Sequence, residues 1–163
     1  MGLDISAISK IQRVEGEGSI WIGEDEHSRH SYESGHYEET QDSQSFHERV
    51  GSYSTYNRWR NDLAMAIHGV EAATIWEDSG YEGKAFVELI DFSDCDGVIG
   101  GEVAEKLYHD FIEHEKAFKS WTMQQWLKSG NMEDEDDLWW DEIYDDFMQA
   151  LDIARKDGVL IFC

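Results

Sequence analysis

The sequence predicts an α+β domain in which about three helices pack on one face of a small mixed sheet. Three observations lead there. Apolar residues recur at helical spacing in three stretches, about 54–69, 102–127 and 134–156. Short β-branched and aromatic runs lie around them, and the two kinds of segment do not alternate as a doubly wound chain requires. With 163 residues the chain has material for one core, so a single domain is expected.

Taken in order, Leu3, Ile5 and Ala7 share one parity and are followed after a polar break by Ile11 and Val14, the pattern of an interrupted first strand. Ser19-Ile-Trp-Ile22 is a second short strand candidate. Residues 24–49 differ in kind: acids, serines and histidines dominate, with Tyr32, Tyr37 and Phe46 almost alone as material to bury. The expectation is a long acidic loop or flap, and loops of that length are usually functional or disordered. Ser54 or Thr55 then offers an N-cap and Gly69 a stop for a helix whose core face carries Trp59, Leu63, Ala66 and Ile67, with Val70 just beyond.

Phe86-Val-Glu-Leu-Ile-Asp-Phe92 is dense in aromatic and branched residues and reads as the central strand, running into a turn built from Ser93-Asp-Cys-Asp-Gly-Val-Ile-Gly-Gly101. Val103, Leu107, Phe111, Phe118 and Trp121 then mark a helical stripe, adjoined by Tyr108 and Ile112, and Ser129-Gly-Asn131 ends it. The last helix carries Trp140, Ile143, Phe147, Leu151 and Ala154 inward. Val159-Leu-Ile-Phe162 is apolar throughout, as a strand buried on both faces requires.

The charge balance is 36 acids against 13 lysines and arginines, a net charge of -23. Such a surface repels nucleic acid and anionic membrane, so the expected partner is a basic protein. Seven tryptophans keep the chain among foldable sequences despite that charge, and leave a homodimer open. Two cysteines, Cys95 and Cys163, make no disulfide framework, which points to a reducing cytoplasm. No apolar run reaches the ~20 residues of a membrane span. Met1-Gly-Leu-Asp-Ile-Ser6 fits the loose myristoylation pattern, but no basic segment nearby supplies the second signal that stable anchoring takes.

Two constellations stand out as sites. Residues 133–146 hold nine carboxylates in fourteen positions with no basic residue. On a helix that is one negative charge per ~2.3 Å of axis, close to the ~1.7 Å of duplex DNA. Asp137, Asp141 and Asp145 fall at i, i+4 spacing on one face, and Asp134, Glu142 and Asp146 complete the candidate partner-binding surface. The plain alternative is a solvated helix start stabilised by the macrodipole. Against it, the run lasts three turns, and like charges at i, i+4 destabilise a helix.

The second constellation sets Tyr53, Tyr56, Asn57, Arg58, Trp59 and Arg60 beside the turn carboxylates Asp91, Asp94 and Asp96. Rings can stack a base and a guanidinium can hold a phosphate, so this is the best candidate for a small ligand such as a nucleotide. Its structural alternative is that Arg58 or Arg60 pairs with an acid of the turn while the rings are core.

Metal and catalytic signals are thin, and neither a cofactor nor a catalytic residue is assigned. Asp94-Cys-Asp-Gly97 matches only the start of a calcium loop. His109 with Glu113 and Asp110 with His114 are ligand types at i, i+4 without a zinc pattern, and His27, His30, His36 and His47 fit no metal spacing. Cys95 sits among acids, which disfavour a thiolate.

The opening Met1-Gly-Leu-Asp-Ile-Ser6, the block Gly51-Ser-Tyr-Ser-Thr-Tyr-Asn-Arg-Trp-Arg60 and the block Phe92-Ser-Asp-Cys-Asp-Gly-Val-Ile-Gly100 together resemble a group of small uncharacterised proteins carried by phages and prophages. The resemblance covers about a third of the chain and transfers no activity. What it implies is a setting: the cytoplasm of a bacterial host, where small acidic proteins inhibit defence or nucleic-acid enzymes. The leading expectation is therefore a non-enzymatic, DNA-mimic-like inhibitor of a basic restriction or CRISPR effector. A binder that sequesters a nucleotide immune signal is second, and a metal-dependent hydrolase third.

Overall fold

A computed structural model describes residues 1–24, 26, 28–130 and 136–163, and gives an α+β fold built on two antiparallel sheets. The strands are β1 (Gly2–Ile8), β2 (Gln12–Val14), β3 (Ile20–Ile22), β4 (Gly35–Glu38) and β5 (Ser45–Ser52). After them come α1 (Tyr53–His68), α2 (Ala72–Glu77), α3 (Val87–Ile90), β6 (Gly97–Gly100), α4 (Gly101–Ser129), α5 (Asp136–Ala154) and β7 (Val159–Phe162). The main sheet runs β5-β1-β7-β6, and β2-β4-β3 form a smaller one. Both are wholly antiparallel in their strand pairing rather than mixed. No helix among the described residues is long and apolar enough to cross a membrane.

The main sheet divides its side chains between two cores. Leu3, Ile5 and Ala7 of β1, with Leu160 and Phe162 of β7, face the helices. Ile8, Val159 and Ile161 point the other way and meet Ile20, Ile22 and Tyr37 of the small sheet. β7 is thus an interior strand covered on both faces, as its unbroken apolar run predicts. The helix-side core is strongly aromatic: Trp59 stacks on Phe147 at 5.2 Å, and Tyr144 lies 4.5 Å from Phe111 and 4.9 Å from Phe118. Each such pair adds ~0.5–1.5 kcal/mol beyond the area it buries.

Three expectations are corrected. Phe86–Phe92 is not a strand: Phe86 takes a left-handed φ of 62° and the next residues form the one-turn α3. The buried set Phe86, Leu89, Ile90 has helical i, i+3, i+4 spacing, whereas a strand would have put Glu88 on the core face. The strand comes next, as β6, inside the stretch expected to be turn. Second, residues 24–49 are not one long loop, because they supply β4 and the first five residues of β5. β5 lies at the sheet edge and buries only Val50 and Gly51 fully, so its composition looks like loop. Third, two short helices, α2 and α3, raise the α-helix count among the described residues to five. The cap of α1 also lies earlier than expected: the Ser52 hydroxyl accepts from the Thr55 amide at 3.1 Å. Gly69 does close the helix, with φ 71° and its N–H on the Met65 carbonyl.

Candidate functional site

The acid run splits into two stripes with different fates. One stripe turns towards α4: the Thr122 hydroxyl donates to Asp141 at 3.0 Å, and the Lys119 ammonium bonds Asp145 at 2.7 Å and Glu115 at 2.9 Å. Burial opposes the charge on Lys119, but the bonds from Asp145 and Glu115 outweigh it and its pKa is raised. Burial likewise raises the Asp141 carboxyl, ahead of the opposing influence of Thr122 and Lys119. Asp141 is therefore drawn partly into the contact between α5 and α4, while Asp145 stays exposed and is paired with Lys119. Of the other expected members, Asp134 lies outside the described residues, and Asp137 is described only as backbone of α5.

The other stripe overlies β5. Glu142 and Asp146 are one turn apart there, and the Trp139 ring lies beside Gly51, close enough to stand 3.3 Å from a Cβ at that position. Glu48 of β5 pairs with Ile5, whose side chain faces the helices, so Glu48 shares that face and meets α5 at the sheet edge. Asp146 is pushed up to about 6 by partial burial, then by Glu48, Glu142 and Asp145. Among the described residues no side chain hydrogen-bonds Asp146, and no lysine or arginine pairs with Glu48, Glu142 or Asp146. The nearest basic residue in sequence, Arg49, turns to the opposite face and pairs with Asp4 at 3.7 Å. Burial first, and repulsion from Glu48, Glu142 and Asp145 second, disfavours the Asp146 charge in the fold.

Most of the second constellation does come together, around an open cleft of about 740 Å³ between α1, α2 and the turn after α3. Its arginine is already occupied. Arg60 is buried, held between the rings of Tyr56 and Trp76 at 5.2 Å from each, and donates to the Phe92 carbonyl and the Asn57 side chain. Asn57 in turn donates to Asp94 at 2.6 Å. Asp96 accepts from the Ser93 hydroxyl at 2.8 Å, and Asp91 lies 3.7 Å from Arg29. Arg58 covers the Trp140 ring at 5.5 Å, while Tyr53 packs against the core. The block is thus a clamp fixing α1 to the turn, and the cleft presents carboxylates rather than a free guanidinium. The expected pairing with an acid of the turn is met indirectly, through Asn57. Tyr56 is fully buried with its hydroxyl unpartnered, and burial raises its pKa.

Several of the metal candidates are engaged elsewhere: His109 bonds Glu105 at 2.8 Å rather than Glu113, and Asp110 takes Lys106 at 2.8 Å and the Phe86 amide at 3.0 Å. His47 bonds Ser6 and His30 bonds the Gly23 carbonyl; His27 lies outside the described residues. No group of three or more His, Cys, Asp or Glu with metal-holding geometry occurs among the described residues.

Sequence reasoning missed Glu48, Trp76 and Lys119. Phe46, Glu48 and Val50 alternate with polar neighbours, the one signal that could have placed Glu48 on a strand. Comparison with protein-family models, curated proteins and solved structures yields no match.

Proposed function

We propose that this chain is a non-enzymatic binding protein that presents the carboxylates of α5 and β5 to a basic protein partner. One observation carries the proposal: partly buried Asp146 stands beside the exposed carboxylates Glu142 and Glu48 with no cation paired to any of the three among the described residues, and burial first and these charges second hold Asp146 near 6. A fold gains nothing from that arrangement, since like charges at close range destabilise it. A lysine or arginine brought by a partner would convert the repulsion to attraction. The overall charge of -23 would steer such a partner from a distance.

The resemblance to phage and prophage proteins supplies the setting we propose: inhibition, in a bacterial host, of a defence complex whose basic surface normally holds nucleic acid. The nucleotide-sequestering alternative receives less support, because Arg60 is committed to Phe92 and Asn57. The test is capture of partners from bacterial lysate by the wild-type chain and by a Glu142→Lys, Asp146→Lys variant, at low and high salt. The proposal expects a basic protein that the wild type retains at low salt, releases at high salt, and that the folded variant fails to retain. Equal retention by both chains overturns it.

A further inference from the structure

The two edges of the main sheet are treated differently. At the β6 edge the chain near Arg29 closes the ladder: the Arg29 amide donates to the Val98 carbonyl at 2.8 Å, and the Gly100 amide to the Arg29 carbonyl at 2.9 Å. At the other edge, β5 pairs with β1 alone among the described residues, so alternate residues of this eight-residue strand present outward amides and carbonyls without a strand partner, the Arg49 amide donating to the Glu48 side chain at 3.3 Å. An edge of that length without a strand partner among the described residues is a template for another strand. From Ser45 to Arg49 the register against β1 is regular; the bulge that skips Val50 lies only at its end.

The chemistry around this edge selects what can add to it. Glu48 stands on the edge strand itself, with Glu142 and Asp146 above it on α5, while Phe46 and Trp139 offer partly exposed rings on the same side. A second copy of this chain is repelled, since each carries a net charge of -23 and its own Glu48 at the edge. An extended basic segment meets the opposite situation. Alternate side chains of an added strand point to one face, so basic residues at every second position would lie along Glu48, Glu142 and Asp146.

We infer that the partner docks by strand addition: an extended segment with basic residues at alternate positions extends the main sheet at the open edge of β5, its cations seated against Glu48, Glu142 and Asp146. This rests on the proposed function and deepens it, naming the partner's segment and how it is held. Main-chain hydrogen bonds to β5 supply affinity, and the carboxylates supply selection.

The test uses the full chain and a synthetic peptide of about eight residues, the length of β5, alternating lysine and valine. Two further versions are N-methylated on one or the other alternate set of amides. Binding is read by titration calorimetry and by amide hydrogen exchange. The inference expects the unmodified peptide to bind and to slow exchange at Phe46–Val50. It expects one N-methylated version to lose about tenfold or more in affinity, through lost ladder hydrogen bonds and steric block, while the other keeps it. Equal binding by all three peptides overturns strand addition and leaves the charge reading standing. Binding by none of them overturns both.

Discussion

Asn at position 146 should stabilise the protein, and only above a defined pH. The Asp146 carboxyl is raised from 3.8 to about 6 by burial and by Glu48, Glu142 and Asp145. Keeping it ionised in the fold therefore costs ~3 kcal/mol at pH 7.5 before screening. The group is partly exposed, and water and salt reduce that figure to ~1 kcal/mol. The sign follows from linkage. The folded pKa lies above the unfolded one, so the folded state binds the proton more tightly and the wild type loses stability as pH rises from ~4 to ~6. Above ~6 the loss is complete and constant. Asp146→Asn removes the charge and no hydrogen bond, so its gain should be near zero at pH 4 and reach ~1 kcal/mol at pH 7.5. Urea unfolding of both proteins at those two values measures it, with equal m-values as the check on comparable unfolding. A variant that is no more stable than wild type at pH 7.5 would refute the reasoning, as would a gain equal at both pH values.

Three further outcomes follow from the interior. Arg60→Met keeps most of the side-chain volume but leaves the Phe92 carbonyl and Asn57 without their donor; it should cost ~2–3 kcal/mol in denaturant unfolding, and Arg60→Lys should not restore it, because only a planar guanidinium fits between Tyr56 and Trp76. Tyr144→Phe removes a buried hydroxyl that donates to the Phe111 carbonyl at 2.6 Å, for a loss of ~1 kcal/mol by the same assay. Tyr56→Phe removes a buried hydroxyl with no partner, so thermal unfolding should show a neutral change or a gain of up to ~1 kcal/mol.

The sequence made the long-range plan legible wherever a single periodicity ran for several turns. α1, α4 and α5 show it, and so does β7, whose four apolar residues serve both cores. It misled where an element was short or lay at a sheet edge. In Phe86–Phe92 a dense apolar run hid one helical turn, because strand and helix spacing differ there only by the placing of Glu88. In β5 an edge position buried so little that a strand resembled loop. The acid run was visible as composition, but its division was not: whether Asp141 and Asp145 are free or engaged by α4 depends on Thr122 and Lys119, about twenty residues or more away in sequence. Glu48 joins Asp146 only through the docking of α5 on β5, a tertiary contact that no local pattern encodes. The Arg60 clamp was half legible, as the right residues in the wrong role.

The central claim is that the Asp146 cluster is an unrelieved charge awaiting a cation. Its most direct test is a carbon-13 NMR titration of the Asp146 carboxyl, alone and with saturating alternating lysine–valine peptide. The account predicts a pKa of about 6 in the free protein, falling towards the ordinary carboxylate range when the peptide is bound. An ordinary value in the free protein, or a raised value that the bound peptide leaves unmoved, would contradict it.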